Sequence, residues 1–128
     1  MGLTTQQDDR ADGRRLAPLS SLICRERSMK MYILIKESVP AGFAMLAAAH
    51  ASLACYLKFK DTPEVKLWLS GPFYKAVCRV NDQEFEKAKE VEDNVVLTES
   101  ALENREVAIA FKPREEWPKA FKFYRLYK

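Results

Sequence analysis

From its first strongly apolar run onward, the chain alternates strand-like and helix-like segments. Residues 31–35 (MYILI) are almost wholly apolar and lie between Lys30 and Lys36, the pattern of a strand covered on both faces. Pro40 and Gly42 punctuate the connection that follows, and residues 43–59 (FAMLAAAHASLACYLKF) then run without Gly or Pro. Alanine predominates there. Leu46, His50, Leu53 and Leu57 recur at helical spacing, and Phe43, Met45 and Ala49 broaden that face. The polar side is weak, so the pattern predicts a largely buried helix whose small alanines allow close approach to a sheet.

Pro63 opens a second short helical stretch carrying Val65, Leu67 and Trp68, which Ser70-Gly71-Pro72 ends. Residues 73–80 (FYKAVCRV) alternate as a strand, with Phe73, Lys75, Val77 and Arg79 on one side and Tyr74, Ala76, Cys78 and Val80 on the other. Asn81 or Asp82 can cap the next helix with Glu84 as the reciprocal acid, and Phe85, Ala88 and Val91 give it an inner stripe. Residues 95–98 and 107–111 read as two further strands. The closing run FKFYRLYK reads as a last strand, with Phe121, Phe123, Arg125 and Tyr127 on one parity. The order predicts a single α/β domain over residues 29–128, a small mixed sheet of four to five strands packed with two main helices.

Residues 1–28 differ. They are polar around Thr4–Arg10 and carry only a short apolar patch at Leu16, Leu19, Leu22 and Ile23, so they are expected to form a flexible tail, either an N-terminal arm or a start-site extension ahead of Met29. The apolar patch is too broken for a secretory signal, and no run of apolar residues is long enough to span a bilayer, so no membrane partner is expected. With 48% apolar and 30% charged residues, the 128-residue chain has globular rather than disordered composition. Its net charge of +3 is too nearly balanced to mark a nucleic-acid binder. Cys24, Cys55 and Cys78 form no CxxC pair and no metal spacing, which suits reduced thiols in a cytoplasmic protein, with Cys55 and Cys78 buried.

Several junctions, in order, resemble the type II peptidyl-tRNA hydrolase superfamily over residues 30–128. MYILIK resembles its first strand and HASLACY the histidine-led part of its first helix. WLSGPFYKAVCRV resembles its second strand with the preceding tryptophan and glycine, and VVLTESA followed by VAIAF its final active-site turn and strand. The resemblance implies a peptidyl-tRNA hydrolase II-like fold and hydrolysis of the ester joining a peptide to tRNA. By position, His50 matches the family histidine if two residues are missing before it; the helix lysine and glutamine then fall near Phe43 and Ala47. Without the deletion they fall on Met45 and Ala49, and Ser52 replaces the histidine. The acidic position falls on Ser100, or on Glu99 after a one-residue shift, and another on Ser38.

The chemistry this implies is water activation by His50 as base, Glu99 as its orienting acid, and Lys75 or backbone amides stabilising the developing negative charge. Ser100 is the alternative to Glu99, although no GxSxG elbow surrounds it. The other reading of His50 is a histidine packed between the helix and the sheet. As the single histidine, it cannot build a histidine-ligated metal cluster, and no cofactor motif occurs. Lys36, Arg105, Lys122 and Arg125 are candidate tRNA contacts, with Phe121, Phe123, Tyr124 and Tyr127 interleaved near the last two. Equally, those cations can be a solvated edge. The alternative function is a noncatalytic binding or homo-oligomeric module, dimerising through an edge strand or a helix face.

Overall fold

The computed structural model describes residues 29–128; the expectations for the tail and for Cys24 lie outside the described residues. Five strands form one mixed sheet: β1 (Lys30–Lys36), β2 (Tyr74–Val80), β3 (Asn94–Glu99), β4 (Arg105–Phe111) and β5 (Arg125–Leu126). Their order is β3-β4-β1-β2-β5. The central β1 pairs in parallel with β2, from Lys30 opposite Tyr74 to Lys36 opposite Val80, and antiparallel with β4. A parallel pair needs a crossover, and two helices supply it: α1 (Ala41–Phe59) and α2 (Pro63–Ser70). Thr62 caps α2 by accepting from the Val65 N–H, and Pro63 occupies its first turn. A third helix, α3 (Asp82–Ala88), opens on a full capping box between Asn81 and Glu84, both hydrogen bonds 2.8 Å long.

Strand alternation divides the core into two layers. On one face Met31, Ile33 and Ile35 of β1, with Ala108 and Ala110 of β4, meet Ala44, Ala47, Ala51 and Cys55 of α1 and Val65 and Trp68 of α2. On the other, Tyr32, Leu34, Cys78, Val80, Ile109 and Phe111 meet Phe85 and Ala88 of α3 together with Phe121. The fold class is therefore α/β with a mixed sheet, as the periodicity predicts, and Cys55 and Cys78 are buried free thiols.

Two expectations need correction. The large residues of α1 do not face the sheet. Leu46, Leu53 and Leu57 are 44%, 58% and 55% exposed and Met45 is 72% exposed, while the alanines and Cys55 fill the inner face. Alanine lets the helix lie close on the sheet, and the leucines therefore have no room beneath it. The second correction concerns the C-terminus. Residues Lys119–Phe123 form a 3-10 turn, and only Arg125–Leu126 join the sheet, opposite Arg79 and Cys78. Aromatic packing explains the turn: Phe121 sits edge-on to Tyr32 at 5.1 Å and to Phe111 at 5.0 Å, which a straight edge strand could not achieve.

Candidate functional site

Helix α1 carries both the proposed base and the largest unexplained surface. With one face on the sheet, its outward side presents Met45, Leu46, Ala49, His50, Leu53 and Leu57 to solvent. No charged residue occurs in α1 before Lys58. Among the described residues, α1 is the one helix long and apolar enough to cross a membrane by length and composition, yet its alanine face is built into the core.

The residues expected to share a catalytic centre do not converge. His50 is exposed, which removes the reading of a packed core histidine, but its side chain forms no hydrogen bond or ion pair with Glu99 or with any other described residue. Glu99 caps the 3-10 turn that follows β3, accepting from the Ala101 N–H at 3.0 Å. Ser100 lies exposed in that turn, where its carbonyl accepts from the Glu103 N–H. Lys75 is far from Glu99 and Ser100. It pairs with Met31 at the start of β1, whereas Glu99 pairs with Arg105 beyond the end where Ile35 faces Ala108. Three strand intervals place them about 14 Å apart across the sheet and about 20 Å apart along it. A single ester cannot be polarised by Lys75 and attacked by water held at Glu99.

Lys75 instead belongs to an aromatic corner. Its ammonium lies 4.7 Å from the Phe73 ring centre and 5.3 Å from that of Trp68, and burial there pushes its pKa down. The Trp68 indole N–H donates to the Tyr74 carbonyl at 2.8 Å, and Phe73 is held at a φ of 38°, a backbone setting costly for a bulky residue.

Of the candidate RNA contacts, Lys36, Arg105 and Arg125 lie on different strands at the end of the sheet where β1 finishes. Lys36 lies over the Phe85 ring and 3.8 Å from Asp82; Arg125 donates to Glu37 at 2.8 Å. Arg105 stands at the start of β4, three strand positions from Arg125, and Lys122 is exposed in the C-terminal 3-10 turn. Two of the four cations are thus partnered by acids. Among the described residues no three His, Cys, Asp or Glu side chains gather as metal ligands.

Two features escaped the sequence reading. One is the outward apolar stripe of α1; the signal was present in the size difference between the Ala44/Ala47/Ala51 side and the Leu46/Leu53/Leu57 side. The other is the contact between Arg79, half-buried, and Tyr127, with the guanidinium 5.5 Å from the ring centre. That contact depends on β5, whose pairing no local pattern announces. No protein-family model matches the chain, and no curated protein does.

Proposed function

We propose that this chain is a noncatalytic homo-oligomeric module on a peptidyl-tRNA hydrolase II-like fold, and that it pairs with a second copy through the outward face of α1. One observation carries the reading: a surface helix whose solvent side is apolar apart from His50 and carries no Lys, Arg, Asp or Glu from its start to Leu57. Leu46, Ala49, Leu53 and Leu57 follow a three-four-four spacing, the seam by which two helices interdigitate. A second α1 is a fitting cover because neither copy brings a charge to the seam, and the small Ala49 between two leucines lets the backbones approach.

Size sets the strength. The 19-residue helix is about 28 Å long and about 10 Å wide, a patch of roughly 300 Å². That is a substantial apolar patch for a monomer to leave bare, but it is well under the roughly 800 Å² per partner of a standard interface. The association is therefore weak and concentration-dependent. The buried thiols Cys55 and Cys78 suit a cytoplasmic location, where they remain reduced.

Ester hydrolysis receives less support, since among the described residues no acid pairs with His50, and Lys75 lies at the opposite end of the sheet from Glu99. Light scattering over a range of concentrations tests the proposal. It expects a mass rising from one chain toward two; a persistent monomer contradicts it. In a parallel assay with N-blocked aminoacyl-tRNA, turnover above buffer that disappears in His50→Ala would restore the hydrolase reading.

A further inference from the structure

A separate feature beside α1 goes beyond self-association. A groove of about 190 Å³ runs between the helix and the end of the chain, lined by Ile35, Ala44, Met45, Ala48, Val77 and Tyr127. The fold creates it. Alanines at positions 44 and 48 leave space over the β1–β2 pair, and Tyr127, tied to β2 by its N–H donating to the Val77 carbonyl at 2.8 Å, forms the far wall. An apolar cavity of about 150 Å³ is enough to hold a benzene ring, so this groove has room for a ring or a short alkyl chain.

Arg79 stands two residues beyond Val77 on β2, and strand alternation puts both side chains on the face that carries α1. Its guanidinium lies 5.5 Å from the ring centre of Tyr127, a wall of the groove. Among the described residues Arg79 forms no ion pair, whereas Lys36 and Arg125, at the same end of the sheet, are both matched to acids. The cation–π contact with Tyr127 holds the guanidinium beside the groove wall, and its N–H donors have no partner among the described residues, so they can receive a carboxylate through two parallel hydrogen bonds.

We propose that this groove binds a small carboxylic acid with an apolar tail, the tail between Ala48 and Val77 and the carboxylate on Arg79. Hexanoate is a suitable probe because it supplies both parts, hexanol supplies only the tail, and inorganic phosphate only an anion. In an amide NMR titration of the full chain, hexanoate should give saturable shifts centred on Ala44, Ala48, Val77 and Tyr127. A dissociation constant on the order of 1 mM fits a ligand of this size. Hexanol should bind about tenfold more weakly, and phosphate should leave those four amides unmoved.

Arg79→Gln should bring hexanoate down to the level of hexanol while keeping the folded spectrum. Ala48→Phe, which fills the groove, should abolish both. The proposal is overturned if the wild-type chain gives no saturable shift, if hexanol matches hexanoate, or if Arg79→Gln binds hexanoate as tightly as wild type. Because Met45 lines the groove and also lies on the outward face of α1, the titration is run at a protein concentration where the chain sediments as a monomer, which keeps these outcomes separate from dimerisation.

Discussion

Ala51 is completely enclosed beneath α1, whereas Leu53, two residues farther along the same helix, is 58% exposed. The smaller residue is the core residue and the larger one is the surface residue. Helix-to-sheet spacing explains the inversion: alanines set a short distance, and every larger side chain is displaced outward. The account of function rests on the apolar face this leaves in water.

The inversion has a direct consequence for stability. Ala51→Leu forces a larger side chain into filled space and should destabilise the fold by about 1–3 kcal/mol. Leu53→Ala removes a side chain that touches solvent and should change stability by no more than about 0.5 kcal/mol. Urea denaturation at low protein concentration checks both. Were Leu53→Ala the more damaging substitution, α1 would have to be turned the other way.

Much of this fold was legible residue by residue. Alternation marked β1 and β2, the Pro63 start and the Gly71 stop delimited α2, and Asn81 with Glu84 announced the start of α3. The facing of α1 was not legible because the helix is apolar all round, and hydrophobicity then gives no direction; only side-chain size does. Nor could local pattern show that Phe121 would turn inward against Tyr32 and Phe111, reducing the last strand to Arg125–Leu126. Within the proposed trio of His50, Glu99 and Lys75, topology keeps the last two apart. With β4 and β1 standing between β3 and β2, Glu99 and Lys75 finish at opposite ends of the sheet.

The capping box of α3 offers a second test. Asn81 and Glu84 each satisfy the other's backbone N–H, so Asn81→Ala should cost about 1 kcal/mol. Because the two bonds support the same turn, the double variant with Glu84→Ala should lose less than the sum of the single losses. Denaturant midpoints for the four proteins provide the cycle, and strict additivity would mean that the two bonds act independently.

Buried thiols set the alkaline limit. Burial pushes the Cys55 pKa from 9.0 to about 12 and that of Cys78 to about 11. A folded-state value above the unfolded one favours folding while the thiol stays neutral. This contribution is complete below about pH 9 and declines as pH rises toward the folded values. The melting temperature should therefore fall above about pH 9, and less steeply in the Cys55→Ala, Cys78→Ala double variant. The same burial predicts slow alkylation by iodoacetamide in the native protein and rapid alkylation in denaturant. Equal native and denatured rates would contradict it.

The most direct test of self-association is sedimentation velocity on the wild-type chain and on Leu53→Glu, each over the same range of concentrations. Leu53→Glu places a carboxylate in the middle of the proposed seam without touching the alanine face. The account predicts a wild-type sedimentation coefficient that rises with concentration and a Leu53→Glu coefficient that stays at the monomer value throughout. A wild-type chain that remains monomeric, or a Leu53→Glu chain that associates as strongly as wild type, would contradict it.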